Sequence, residues 1–238
     1  MGPFDVAELL RAYEVEDRSV PHLRANFVSS LDGAATHAGL SGGLNNEADK
    51  QVFDLLRRLS DVIMVGAGTV RIEGYGAMRL PDYAAAWRLE RGLAPQPVFA
   101  LVSRSLALDP GSPVFTDAPV RPLVLTHAGA PPDRRRALAE VADVVTCGTE
   151  KVEPLALRAA LVDRGLPQIL CEGGPQLFGA FIEADAVDEL CLTLSPVLEG
   201  GNAWRISRDG AERQRPMRLA SILRADGTLL LRYLRRYR

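Results

Sequence analysis

Lysine is almost missing from this chain: of 28 basic residues only Lys50 and Lys151 are lysine, and the rest are arginine. A GC-rich genome accounts for the bias as a whole, while individual guanidinium groups remain well suited to bidentate phosphate contacts. There is no basic excess either, since 30 acidic residues leave a net charge of −2. That balance argues against a general nucleic-acid or membrane-surface role, both of which need a positive field. Cysteine is scarce and odd in number: Cys147, Cys171 and Cys191 have no C-x-x-C spacing, and each sits in or beside an apolar run. This argues against a disulfide framework or a zinc site and predicts buried, reduced thiols. The three histidines, His22, His37 and His127, lack metal-ligand spacing and are expected in surface or turn positions. No apolar run approaches the length of a membrane span, and residues 1–10 lack a basic-then-apolar leader pattern, so a cytoplasmic location is expected.

Several chemical signatures are also missing. There is no G-x-x-x-x-G-K-[ST] for a phosphotransferase, no G-x-S-x-G elbow for a hydrolase, and no H-x-E with P-C-x-x-C for a zinc deaminase. The run Gly66-Ala67-Gly68 is followed by Thr69-Val70-Arg71, so the third glycine of a standard dinucleotide fingerprint is lacking.

What is present is an alternation of short β-rich runs with helix-length amphipathic segments. Strands are expected at 22–30, 62–65, 98–102, 123–126, 144–145, 168–171, 189–194 and 228–233. Helices are expected at 47–59, where Val52, Leu55, Leu56 and Leu59 recur at helical spacing, and at 134–141, 154–164 and 176–184. The pattern predicts an α/β fold with a mostly parallel central sheet and helices on both faces. Residues 75–97, with Pro81, Pro95 and Pro97, interrupt it as either a loop with a short helix near 84–91 or a flap. A single domain over 1–238 is expected, with residues 1–20 as an N-terminal extension.

Two strand–glycine–helix units are the strongest local signal. One runs from Asp61 through Gly66, Ala67, Gly68 and Thr69, and the other from Ile169 through Glu172, Gly173, Gly174 and Pro175. Glycine permits close backbone approach, and amides at a helix start favour an anion. Steric packing at an α/β corner would also explain either turn alone, but two together suggest a dinucleotide with its pyrophosphate between two backbone cradles. Asp32, in Ser30-Leu31-Asp32-Gly33, and Glu172 both fall at strand C-termini, where ligands of open α/β sheets bind. Asp32 also reads as a plain turn residue and Glu172 as an acid at a helix N-terminus.

In order along the chain, Asn26–Gly33, Gly39-Leu-Ser41, Leu55-Leu-Arg57, Val65–Val70, Cys171–Leu177, Val187–Leu190 and Ser195-Pro196 resemble the pyrimidine-reductase family of riboflavin biosynthesis. The resemblance runs from about His22 to Gly200. It implies a dihydrofolate-reductase-like fold, a homodimer, bound NADPH, and a ribosylaminopyrimidine 5′-phosphate whose ribosyl group becomes ribityl. The same resemblance assigns cofactor contacts to Gly66, Ala67, Gly68, Thr69, Glu73, Ser103, Gly173, Gly174, Pro175, Gln176 and Leu177. Arg104 would then meet a 2′-phosphate. Ser41, Arg57, Arg79 and Glu172 take the substrate side, with Arg57 and Arg79 on its phosphate, and Asp32 and Glu172 stand as catalytic candidates. Gly43 replaces a residue that is often bulky in the family, which implies extra room near the cofactor. A pterin reductase, such as one acting on dihydrofolate, and a non-catalytic NADP(H)-binding protein are the competing readings.

Overall fold

The structure is a computed structural model that describes residues 2–236. Its strands are β1 (His22–Ser29), β2 (Val62–Gly66), β3 (Val98–Val102), β4 (Leu123–Thr126), β5 (Asp143–Thr146), β6 (Gln168–Cys171), β7 (Glu189–Leu194), β8 (Met217–Ala225) and β9 (Thr228–Arg235). Its helices are α1 (Val6–Tyr13), α2 (Glu47–Leu59), α3 (Ala67–Ile72), α4 (Asp82–Leu89), α5 (Pro113–Thr116), α6 (Pro132–Ala139), α7 (Pro154–Val162) and α8 (Pro175–Glu183). The strands form one sheet in the order β5-β4-β3-β2-β6-β1-β7-β9-β8. All neighbours from β5 to β7 are parallel, while β9 runs antiparallel to β7 and β8 antiparallel to β9.

Strands β2, β3 and β4 are almost wholly apolar because both faces are covered. Ile63, Val65 and Leu170 face a cluster with Leu55 and Leu56 of α2 and Val70 of α3. Val62, Met64 and Ile169 face the opposite cluster with Leu157 and Leu161 of α7 and Phe178 and Phe181 of α8. Each helix starts with local chemistry that favours it. Asn46 caps α2 by accepting from the Asp49 amide at 3.0 Å, and α6, α7 and α8 each begin on proline. In α2 the first turn carries Glu47 and Asp49 and the last carries Arg57 and Arg58, matching the helix dipole.

Within residues 1–20, α1 places Leu9 and Tyr13 in the core, each 1% exposed. The Tyr13 carbonyl accepts from Arg24, whose guanidinium pairs at 2.6 Å with the buried Glu189 carboxylate. Burial raises the Glu189 pKa, but Arg24, His22 and Arg232 more than reverse this and hold it well below the usual range. His22 therefore sits in a part-buried ion cluster, 2.8 Å from Glu189, and His127 is buried between the carbonyls of Thr149 and Arg104. The three cysteines are buried and unpaired, as expected.

One strand, β8, has no counterpart in the sequence reading. Its pairing with β9 shifts register between Leu219 and Ser221, which breaks the two-residue alternation. The turn joining them is Asp226-Gly227, with φ of 50° and 80°, the Asp-Gly signal of a tight hairpin. Of the two readings of 75–97, the loop with a short helix holds: α4 forms at Asp82–Leu89 and is anchored by Arg88. Arg88 is 1% exposed and donates to the carbonyls of Ala94, Arg58 and Ser60 at 2.6–2.8 Å. Burial lowers its pKa to about 10, so it remains cationic at neutral pH and closes the C-terminal end of α2. At Gly43 an added Cβ would lie 2.7 Å from the His37 Cβ, so histidine fills the expected extra room.

Arg88→Met removes three charge-assisted hydrogen bonds and leaves buried carbonyls unmet, so urea denaturation should show a loss of about 3 kcal/mol. A loss below about 1 kcal/mol would mean that α4 is not anchored in this way.

Candidate active site

β2 and β6 are sheet neighbours, yet α3 leaves β2 toward one face and α8 leaves β6 toward the other. This divergence opens a crevice at the strand C-termini, where open α/β sheets bind ligands. Both glycine turns lie there and touch. The Gly66 amide donates to the Gly173 carbonyl at 2.8 Å. An added Cβ on Gly66 would lie 3.2 Å from the Gly174 nitrogen, and one on Gly174 only 2.4 Å from Thr69 Oγ1. Gly173 has φ +102°, and its peptide bond to Gly174 is cis. The turns therefore form one joined backbone surface, whereas two separate cradles were expected. Gly66 and Gly174 are demanded by their mutual approach, while Gly68 is exposed and a Cβ there would meet nothing within 4 Å.

The remaining cofactor-side candidates flank this surface. Gly66 pairs with Val102, which brings Ser103 and Arg104 beside the first turn. Ser103 is buried and Arg104 exposed. One strand further, the Thr126 hydroxyl is buried with no hydrogen-bond partner among the described residues. Pro175, Gln176 and Leu177 form the first turn of α8, and Gln176 donates to Asp209 at 3.2 Å. Glu73 ends α3 and accepts from the Ser41 amide at 2.9 Å, joining a cofactor-side candidate to a substrate-side one.

On the α2 side lies a compact ionic group. Arg57 donates Nε and Nη2 to the two oxygens of Glu172 at 2.6 and 2.7 Å, and Tyr75 donates its hydroxyl to Glu172 at 3.0 Å. The Arg57 guanidinium rests 4.1 Å from the centre of the Phe53 ring. Burial lowers the Arg57 pKa, but Glu172 overrides it and the net shift is upward. Burial, followed by the Glu172 charge, pushes the Tyr75 phenol up, so it remains a donor. Two arginine nitrogens are thus already committed, leaving Nη1 as the one Glu172 does not use. Arg57 also lines a cavity of about 260 Å³ with Lys50, Arg58 and the exposed Arg79, whose Nη2 reaches the Asp117 carbonyl.

Asp32 clasps a loop. It accepts from the Ser30 hydroxyl and from the amides of Glu199 and Gly200 at 3.1 and 2.7 Å. These bonds, Ser30 first, lower its pKa to about 2. An acid this strong is ionised at neutral pH, which suits a loop clamp and not a proton donor.

Sequence reading missed Asp49, Tyr75 and Thr193. Asp49 is buried in α2, and Thr193 is buried in β7. Burial raises the Asp49 pKa. The available signal was spacing: Asp49, Phe53 and Arg57 recur every four residues and share one helix face.

A model of the RibD C-terminal domain matches residues 21–231. The chain is 30% identical over 208 residues to the 2,5-diamino-6-ribosylamino-4(3H)-pyrimidinone 5′-phosphate reductase of Archaeoglobus fulgidus, covering 86% of this chain and 93% of that one. It is 28% identical over 185 residues to the riboflavin biosynthesis protein RibD of Bacillus amyloliquefaciens, covering 76% of this chain but 47% of that protein. It therefore spans about half the length of that relative. The crystal structure of a pyrimidine reductase-like protein from Corynebacterium diphtheriae matches with a TM-score of 0.87 at 27% identity, covering 97% of this chain and 99% of that one. The fold is the dihydrofolate-reductase-like fold of these reductase domains.

Gly174→Ala should destabilise the protein by about 1–3 kcal/mol through overpacking against Thr69, and Thr69→Ala in the same chain should restore most of it in thermal melts. Lowering the pH protonates Asp32. Because its folded pKa is depressed, the clamp is intact above about pH 4 and is lost toward pH 2, so the Glu199 and Gly200 amides should lose exchange protection across that window.

Proposed function

The chain belongs to the RibD C-terminal domain family, and we propose that it is a reductase converting the ribosyl group of a ribosylaminopyrimidine 5′-phosphate to ribityl, with NADPH, in riboflavin biosynthesis. The observation that carries this reading is the joined glycine surface bordered directly by the Arg57–Glu172–Tyr75 group. A bound nicotinamide dinucleotide supplies a hydride for C1′ of the opened sugar.

The residues fit such a cofactor. Gly66, Ala67, Gly68 and Thr69 offer backbone at an open helix start, and Gly173 to Leu177 offer the second wall. Ser103 and the unsatisfied Thr126 hydroxyl lie along the strand ends beyond them, with Arg104 exposed to meet a 2′-phosphate. Glu73 holds the Ser41 loop against α3 and so acts on both sides of the crevice. On the substrate side, Arg57 Nη1 and Arg79 receive the sugar phosphate while Glu172, aligned by Arg57 and Tyr75, binds the ribose hydroxyls. Asp32 positions the wall of the site through its loop clamp. A cavity where Lys50, Arg57, Arg58 and Arg79 outnumber Glu47 and Asp54 favours a phosphorylated substrate over a pterin.

No helix among the described residues is long and apolar enough to cross a membrane, and we assign the enzyme to the cytoplasm. Exposed apolar side chains on the edge strand β8, Leu219 and Ile222, together with Val197, Leu198 and Trp204, support a homodimer.

Steady-state NADPH oxidation tests the assignment, with the ribosylaminopyrimidine phosphate, its dephosphorylated form and dihydrofolate as substrates. Arg57→Ala also strands the buried Glu172 carboxylate, so the informative quantity is the ratio between phosphorylated and dephosphorylated substrates. That ratio in kcat/KM should be about 100 in the parent enzyme and fall below about 10 in Arg57→Ala and in Arg79→Ala. Turnover of dihydrofolate alone would overturn the assignment.

A further inference from the structure

The loop that follows β3 is fastened at more points than a surface turn requires. Its carbonyls at Arg104, Ser105 and Ala107 each accept from a different element: His127 after β4 at 3.1 Å, Arg134 of α6 at 2.9 Å and Arg71 of α3 at 2.8 Å. Leu106, between them, has φ +52° and is 1% exposed. A bulky side chain in the left-handed region is strained, and such strain persists only where the surroundings over-determine it. The loop so fixed presents one free group. The Arg104 guanidinium is exposed and has no hydrogen-bond or ion-pair partner among the described residues.

His127 is the unusual fastening, because its buried ring faces a carbonyl at each nitrogen. Nε2 lies 3.1 Å from the Arg104 carbonyl, and Nδ1 lies 3.3 Å from that of Thr149. Carbonyls only accept, so each contact needs an N–H. A neutral imidazole has one N–H and serves one carbonyl, whereas an imidazolium has two and serves both. The Thr149 carbonyl also accepts from the Gly129 amide at 3.0 Å, while that of Arg104 has no second donor among the described residues. The charged groups on the elements packed around the ring are Arg104, Arg134 and Arg135, the Asp133–Arg136 pair of α6, and Glu150, Lys151 and Glu153 after β5. Arg135 donates to the His127 carbonyl at 2.7 Å. The ring itself meets carbonyls and no carboxylate, so its protonation is expressed as hydrogen bonds to the loop.

On the basis of the reductase reading, which sets the cofactor's 2′-phosphate at Arg104, we propose that His127 is a positioning residue for cofactor selection. As the imidazolium it ties the Arg104 carbonyl to the segment after β5 and holds the guanidinium where the 2′-phosphate arrives. On losing a proton it releases one of the two carbonyls, the loop loosens, and the preference for NADPH over NADH falls. The imidazolium charge also joins those of Arg71, Arg104 and Arg134 around the loop, so order and field act in the same direction.

Calorimetric binding of adenosine 2′,5′-bisphosphate and of adenosine 5′-monophosphate to the full chain measures the 2′-phosphate preference without turnover. His127→Gln keeps a neutral donor for the Arg104 carbonyl but does not titrate. The phosphate titrates equally with every variant, so the parent's preference is divided by that of His127→Gln at each pH. That quotient should fall about tenfold as His127 loses its proton. Binding and protonation are linked, so ring-nitrogen NMR should show the bisphosphate raising the His127 titration midpoint by about one pH unit. The monophosphate should leave the midpoint in place, and Arg104→Ala should abolish the shift. If the parent binds neither NADPH nor the bisphosphate, the cofactor reading fails and this role falls with it. If the parent prefers the bisphosphate but the quotient is flat, or the midpoint does not move, the cofactor reading stands and the positioning role is overturned. Should His127→Gln not fold, the NMR titration of the parent decides.

Discussion

The hydrogen bond from the Gly66 amide to the Gly173 carbonyl fixes the centre of this molecule. It ties the turn after β2 to the turn after β6 at the point where α3 and α8 part to opposite faces of the sheet. Side chains there would push the two backbones apart, since a Cβ on Gly174 would collide with Thr69 Oγ1. Close approach without side chains leaves amides and helix starts lining an open crevice, the surface an anionic dinucleotide needs. Everything proposed to act on substrate is arranged around that junction.

Charge is distributed between two ends of the sheet. At the strand N-termini, the buried Glu189 gathers His22, Arg24 and Arg232, while Arg24 and Arg232 extend to the carbonyls of Tyr13 and Ala12. That network fastens α1 and β9 to the parallel strands. At the C-termini, Arg57 and Glu172 form a second buried pair whose arginine borders a cavity. A buried ion pair contributes little net stability because both partners lose hydration. Its value at this end is orientation: Glu172 is held by three donors from two segments, which fixes its carboxylate beside the glycine turns.

Much of the fold was legible in the residues. Strands β2, β3 and β4 read as short apolar runs because they are buried on both faces, and α2 was bounded correctly by its leucine spacing and polar ends. The family resemblance added the reductase assignment, which ordered motif blocks carry and no single motif would. The misses share a cause. In β8 a register shift disrupts the alternation, though Asp226-Gly227 marked the hairpin. Helix α1 carries little signal of its own, because its burial depends on α2 and on Arg24. Gly43 suggested open space, but His37, six residues earlier, fills it.

The sequence by itself determined the α/β class, most strands, the two glycine turns and the residues that resemble a pyrimidine reductase. All are written in local periodicity, turn chemistry or motif order. Only the tertiary structure decided how those parts meet: that the glycine turns touch across 107 positions of chain, that Arg57 is already bound to Glu172, 115 positions away, and that Tyr75 joins the same carboxylate. Separation along the chain carries no signal for such contacts. They are set by strand order, which places β6 between β1 and β2.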